Sequence, residues 1–261
     1  MLAAQRHTLI LQEVTNRGAA RIAELATSLG VSEMTVRRDL DLLADQGLVD
    51  KVHGGATAVI EQSSVIEPPF KAKSLREQVA KSAIAATAAK LVSPGASIAL
   101  MGGSSVFAMC PHLIEVPWLT IVTNSLPVSD FFQREGRNDQ TVILAGGSRT
   151  PTDSFVGEIT VSVFDKLNVD MAFVGTHGMD PRGGFSSPNI LEAETNRAVR
   201  DRAKKVVILA DHTKWGSVAF ATFAHFNEVD VVVTDDELSS ENLEVLREAV
   251  PEVLVAAANL S

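Results

Sequence analysis

The stretch Val31-Ser32-Glu33-Met34-Thr35-Val36-Arg37-Arg38-Asp39-Leu40 decides how the N-terminal part of this chain folds. Ser32 stands just ahead of a run with helical periodicity, where its hydroxyl can accept a backbone N–H of the first turn. Val36, Leu40 and Leu43 fall on one side of a helical wheel, so a helix ending at about Gln46 has one apolar stripe to bury. Met34, Thr35 and Arg38 fall on or near the opposite side, with Arg37 on the flank. Asp39 lies off that outward face and reads as structural. Gly47 is placed to end the helix.

Working outward, Leu9, Ile10 and Val14 keep helical spacing from residue 3 to about 17, where Arg17-Gly18 stops the run. Ile22, Leu25 and Leu29 give a second, short helix closed by Gly30. On the other side, Leu48–Lys51 and Ala56–Val59 read as two short strands around Gly54-Gly55, a hairpin. A helix anchored along one stripe and carrying Thr and Arg on the other suits a major groove. Arg can donate twice to a guanine or once to a phosphate, and Thr offers a hydroxyl and a methyl. Asp41 and Asp45 share the outward face toward the C-terminus, so only the N-terminal half is expected to enter, a pose the helix dipole favours. Lys51 and His53, in the hairpin, can reach the DNA backbone or minor groove. Against this, residues 1–57 hold six Lys and Arg against seven Asp and Glu. On wheel and charge alone, duplex DNA and a protein partner suit the three-helix unit equally.

The whole chain carries a formal charge of −9, which argues against nonspecific coating of nucleic acid but leaves room for a small reading module on an acidic body. Hydrophobic residues make up 46% of the 261, enough for a sizeable core. The single cysteine, Cys110, excludes an internal disulfide and reads as inert. No Cys/His cluster has zinc spacing, no apolar run is long enough to span a membrane, and no signal pattern opens the chain. A reducing cytoplasm is the expected setting.

Residues 60–74, with Ser63, Ser64, Pro68 and Pro69, break the pattern and read as a linker between a first domain at 1–59 and a second at 75–261. A long helix is expected over Leu75–Leu91. Apolar runs then alternate with helical stretches: Ser97–Met101, Leu119–Val122, Thr141–Ala145, Met171–Val174, Val206–Ala210, Val229–Val233 and Val253–Val255. Such alternation predicts an α/β domain with a mainly parallel sheet. The loops after these runs are Met101–Ser105, Thr123–Ser125, Ala145–Arg149, Gly175–Gly178 and Asp211–Gly216. Glycines let a backbone approach an anion, and hydroxyls, Arg149 and Lys214 can hold a phosphate. A strand-turn-helix needs small residues anyway, so each loop alone is weak; their recurrence at one sheet edge carries the expectation.

The stretch quoted first, with Leu43, Gly47, Leu48 and Val52-His53-Gly54-Gly55-Ala56, resembles the winged helix-turn-helix of the DeoR family of bacterial regulators. The strand-end loops resemble that family's effector domain, similar in fold to ribose-phosphate isomerases and CoA transferases. The resemblance implies DNA-facing positions at Ser32, Met34, Thr35, Arg37 and Arg38, with Lys51 and His53 in the wing. It implies a sugar phosphate or related metabolite as ligand. Carried over by position, Gly103, Ser104 and Ser105 match the phosphate loop, Thr123 and Asn124 the second loop, and Gly146 and Gly147 the third, beside Arg149. Gly175 and Gly178 match the fourth, Glu192 an acidic helical position, and Lys214 the lysine of an Asp-His-Ser/Thr-Lys motif. Two positions depart from the family: Met101 stands for an aspartate and Asn196 for a lysine, which changes the polar lining.

The expectation is therefore a cytoplasmic, DNA-binding regulator of carbohydrate-metabolism genes, a repressor whose operator binding responds to a phosphorylated sugar. It needs no cofactor, metal, membrane or catalytic residue. Helix-turn-helix proteins read repeated half-sites as symmetric oligomers, so a homodimer or homotetramer is expected. The alternatives are a sugar-phosphate isomerase with an accessory head, for which Glu192 is the one candidate base, and a protein-binding module.

Overall fold

The computed structural model describes residues 3–45, 48–58 and 77–257, and the chain divides into two compact units, Met1–Arg76 and Glu77–Ser261. The expected helix end at Gln46-Gly47, the side chain of Asp45, Val59, the linker at 60–74 and the helix start at Leu75 lie outside the described residues.

In the first unit, helix α1 (Ala3–Arg17) leads through strand β1 (Ala19–Arg21) into α2 (Ile22–Leu29). Gly30 takes the left-handed conformation at φ +65°, and its N–H returns to Ala26 O. Ser32 Oγ accepts from Thr35 N–H at 3.2 Å and so caps α3 (Glu33–Asp45). Strands β2 (Val49–Val52) and β3 (Gly55–Ala58) form the hairpin. Sheet order is β1-β3-β2, all antiparallel. Strand β1 escapes the sequence because three residues between two helices carry no period. It explains Gly55: a Cβ there would sit 2.3 Å from Ala20 O. Ile10, Val14, Leu25, Val36, Leu40, Leu43, Leu48 and Ala56 form one buried core, so the apolar stripe read from the wheel is the one that is buried.

The second unit opens with α4 (Gln78–Ala89) and β4 (Ser97–Leu100), followed by two single-turn helices, α5 (Ser104–Phe107) and α6 (Cys110–Leu113). Next come β5 (Thr120–Thr123), α7 (Leu126–Glu135), β6 (Thr141–Leu144) and a small hairpin of β7 (Ser148–Arg149) and β8 (Phe155–Val156). Helix α8 (Glu158–Phe164), β9 (Val169–Gly175), β10 (Gly178–Asp180), β11 (Gly184–Ser187) and α9 (Ile190–Arg200) follow. The chain then forms β12 (Ala203–Leu209), β13 (Ala221–Ala224), β14 (Val231–Asp235), α10 (Ser240–Ala249) and β15 (Glu252–Ala256).

Seven of these strands make one parallel sheet in the order β15-β14-β12-β9-β4-β5-β6. They are the seven apolar runs read from the sequence. Alternate residues feed opposite faces. Ile98, Leu100, Phe173, Val207, Leu209, Val231 and Val233 pack with α4 and α7. Ala99, Met101, Ala172, Val174, Val206, Ile208 and Val232 pack with α8, α9 and α10. Burial on both faces is why the runs are apolar throughout rather than alternating. Burial also pushes the Cys110 thiol up to about 12, leaving it protonated and unreactive. A second, antiparallel sheet, β10-β11-β13, was not legible in the sequence; its strands are short and rich in Gly, Ser and Thr. No helix among the described residues is long and apolar enough to cross a membrane.

Candidate functional site

The outward face of α3 is built as its sequence requires. Met34, Arg37 and Arg38 are exposed while Val36, Leu40 and Leu43 are buried. Ser32 Oγ and Thr35 Oγ1 are hydrogen-bonded to each other at 2.9 Å at the helix start. Arg37 leans to Glu33, 3.6 Å away, in an exposed i,i+4 pair worth a few tenths of a kcal/mol. Arg38 has no acidic partner among the described residues. In the wing, His53 is exposed and Lys51 pairs with Asp41. That pair couples hairpin to helix, but both ends are half exposed, so its net worth is about 0–1 kcal/mol and a phosphate can displace it.

Asp39 points the other way. It is buried, and accepts from Arg6 Nη2 at 3.0 Å and from His7 Nε2 at 2.8 Å, both on α1. Burial alone would raise the Asp39 carboxyl, but the bonds from Arg6 and His7 and their charge outweigh it and hold it below the ordinary value. This cluster locks α3 onto α1 one residue from Arg38. Arg6 and His7 were missed by the sequence reading, since nothing in their periodicity announces a partner on α3.

In the larger unit, the order of strands places the second site. From β4 the chain moves outward to β5 and β6, then returns to the other side of β4 with β9. The crevice outside the carboxyl ends of β4 and β9 is thus the topological switch point, where open α/β sheets take ligands. Glycines line it. Gly103 has φ +144°, and a Cβ there would face Gly175 Cα at 4.0 Å. A Cβ at Gly102 would lie 2.0 Å from Ser154 Oγ. The first backbone bond of α5 runs from Phe107 N–H to Gly103 O at 2.9 Å, so the amides of residues 104–106 precede the first donor of the turn. Ser104 and Ser105 lie beside them, each 9% exposed.

The other expected residues divide by role. Thr123 donates to Leu100 O at 2.5 Å and accepts from Ser125 N–H at 3.0 Å. Asn124 Oδ1 accepts from Gly102 N–H at 2.9 Å, and its Nδ2 donates to Phe155 O at 2.8 Å. Both side chains are thus used in tying the loops together. Gly146 O accepts from Thr160 Oγ1 at 2.8 Å; Gly147 has φ +153°, and a Cβ there would meet Thr160 Oγ1 at 2.2 Å. Arg149 is tied within its own hairpin, 2.7 Å from Asp153. A Cβ at Gly178 would meet Ser217 O at 2.3 Å. Glu192 accepts from Ser187 Oγ at 2.6 Å and belongs to α9, on the face opposite α4. Met101 is fully buried and clusters with Met179 and Phe185, so this position is core rather than polar lining.

Lys214 ends the 3-10 turn His212–Lys214, which Asp211 caps by accepting from Thr213 N–H at 3.2 Å. One residue absent from the sequence reading joins it. Lys81, buried on α4, and Lys214 both attract the Asp211 carboxylate. Burial would raise Asp211, but Lys214, the Thr213 bond, Lys81 and His212 together hold it low, and so ionised. His212 in turn bonds Asp235 at 2.9 Å; burial lowers its pKa, but Asp235, Glu237 and Glu77 raise it further, for a net rise. Lys81 and Ser154 carry no motif. Only the folding of α4 and the β7–β8 hairpin onto the strand ends identifies them.

Known proteins agree with both units. The profile of the DeoR-like helix-turn-helix domain matches residues 6–62, and that of the DeoR C terminal sensor domain matches residues 76–236. The uncharacterized HTH-type transcriptional regulator YgbI of Escherichia coli K12 is 34% identical over 91% of this chain and 92% of its own. The glycerol-3-phosphate regulon repressor of the same organism is 30% identical over 90% and 92%. Among solved structures, ribose 5-phosphate isomerase A of Methanocaldococcus jannaschii superposes over 53% of this chain and 54% of that one, at 18% identity and a TM-score of 0.39. With a helix-turn-helix head, a sensor profile over more than half its length and full-length regulators as relatives, the chain belongs to the DeoR family of transcriptional regulators.

Proposed function

We propose that this DNA-binding regulator represses carbohydrate-metabolism genes and that a phosphorylated sugar sets its affinity for the operator. The observation that carries the sensor half is the glycine-lined switch point with Ser104 and Ser105 at its mouth and Lys81 and Lys214 near by. Relatives support the class: one is a glycerol-3-phosphate regulon repressor, another a putative aga operon repressor. Ser32, Met34, Thr35, Arg37 and Arg38 face the major groove, and Lys51 and His53 reach the backbone beside it. Gly103, Ser104, Ser105, Gly175 and Lys214 hold the ligand. Thr123, Asn124, Gly146, Gly147 and Gly178 shape its loops, while Arg149 contributes from the rim and the buried Glu192 from α9. Residues 60–74 link the units, and the protein works in the cytoplasm as a homodimer or homotetramer on repeated half-sites.

The protein acts as a sensor, not an enzyme. Isomerisation needs a base against the substrate. Met101 is core, Glu192 is engaged by Ser187, and Asp211 is a weak base at its lowered pKa. A ligand shifts DNA affinity only by its differential affinity for the two states of the protein.

Gly175 gives the test. A Cβ there would meet Gly102 O at 3.9 Å and Val106 Cγ2 at 4.0 Å, ordinary contacts, so the fold accepts alanine while the ligand meets a methyl. Gly175→Ala is expected to move stability by less than about 1 kcal/mol and to abolish the thermal stabilisation that a sugar phosphate confers. Lys214→Ala should weaken that stabilisation with DNA binding intact. Unaltered stabilisation in both variants would place the ligand elsewhere.

A further inference from the structure

Four large apolar side chains of the second unit are exposed on adjoining segments. Val218 and Phe220 are 53% and 63% exposed on the loop into β13, and Ile190 and Leu191 are 51% and 39% exposed on the first turn of α9. Single exposed apolar residues are ordinary; a group of neighbours marks an interaction site. The small sheet brings these four together. Its inner face turns Met179, Phe185 and Phe223 into the core. Its outer face is crossed by residues 217–219: Ala219 N–H donates to Ser186 Oγ at 2.9 Å, and a Cβ at Gly183 would meet Val218 Cγ2 at 2.7 Å. Phe220 precedes Ala221, which pairs with Ser187 at the end of β11, and α9 opens three residues later and packs against β13. Val218 thus marks the start of β11, Phe220 its end, and Ile190 and Leu191 the helix beyond.

A charge flanks the row at each end. Arg182 is exposed and adjoins Gly183; Glu194 is exposed one helical turn beyond Ile190, on the same face of α9. Neither makes an ion pair among the described residues. An apolar row with a positive end and a negative end is self-complementary. A two-fold axis through its middle sets each end against the opposite end of a second copy. The area agrees. The four side chains expose on the order of 400 Å². A standard interface takes about 800 Å² from each partner, a little over half of it apolar, so they supply most of the apolar share.

We propose that this row is the interface between two copies of this chain, with Phe220 near the two-fold axis and Arg182 paired with the partner's Glu194. The apolar centre supplies the affinity, and the rim pairs fix the orientation. The inference rests on the homo-oligomer reading above and gives that assembly a surface.

The test is sedimentation velocity of the full-length protein over a concentration series. The wild type is expected as a dimer or tetramer. Phe220→Asp should split it, dimer to monomer or tetramer to dimer, raising the dissociation constant of that step roughly thirtyfold or more, the effect of losing one central aromatic anchor. Its circular-dichroism spectrum should not change, because the side chain is largely exposed. Ile190→Ser, on a different element, repeats the test should Phe220→Asp not fold. Arg182→Glu and Glu194→Arg should each weaken the same step by setting like charges together, and the double variant Arg182→Glu/Glu194→Arg should restore it. A residue that supports only its own fold gives no such rescue. A wild-type assembly left intact by folded Phe220→Asp and Ile190→Ser would overturn the inference while the oligomer reading stands. Single reversals that have no effect, or that the double variant does not rescue, would overturn it too. A wild type that stays monomeric at every concentration is a different result, which removes the oligomer reading and this inference with it and leaves the row to a different protein partner.

Discussion

Asp39→Ala is expected to melt the head well below the rest of the protein and to abolish operator binding without removing a DNA contact. Asp39 is buried and bonded by Arg6 and His7, and the Arg6 side chain is itself only 13% exposed. Removing Asp39 leaves the largely covered Arg6 guanidinium without its partner, which destabilises the head. A unit this small holds only a few kcal/mol in total, so the loss is a large fraction of its stability. Scanning calorimetry should show a separated low-temperature transition. The double variant Arg6→Ala/Asp39→Ala should recover part of the loss, because no unpaired guanidinium remains. An unshifted melt in Asp39→Ala would mean that the cluster does not hold α1 to α3.

Arg38→Ala should give the opposite signature, with operator affinity lost and the melt unchanged. Arg38 is exposed on the N-terminal half of α3 and has no acidic partner among the described residues, so no internal contact disappears with it. If it donates to a guanine edge, the loss is roughly 1–3 kcal/mol on the cognate site and much less on unrelated duplex. If it holds a phosphate, the loss is uniform across sequences and the salt dependence of binding flattens. Anisotropy titrations on operator and scrambled duplex at several salt concentrations separate the two. Unchanged affinity on both would take Arg38 off the DNA surface. Arg38 and its neighbour Asp39 therefore separate contact from scaffold.

How much was legible in advance follows from where the information lies. The seven parallel strands were readable because burial on both faces leaves unbroken apolar runs such as Val206–Ala210 and Val229–Val233. The recognition helix was readable because its stripe repeats at helical spacing. Strands β1, β10, β11 and β13 were not, since three or four small residues carry no period and pair only once the chain has folded. In the crevice, the glycines and Lys214 sit in motifs that a sequence displays. Lys81 and Ser154 are brought there by tertiary packing alone. The same holds for Arg6 and His7, which meet Asp39 across more than thirty residues of chain.

Under the proposed function, ligand binding at the strand ends changes how tightly the head holds DNA. The most direct measurement is fluorescence anisotropy of the full-length protein on duplex DNA from upstream of its own gene and, from genome-wide binding, on its strongest site elsewhere. Each titration is repeated over a range of salt and with a panel of sugar phosphates. The expected result is tight, salt-sensitive binding that one sugar phosphate alters at least fivefold, the lower end of ordinary allosteric coupling. Binding that no member of the panel alters, or no specific binding on either duplex, would contradict it.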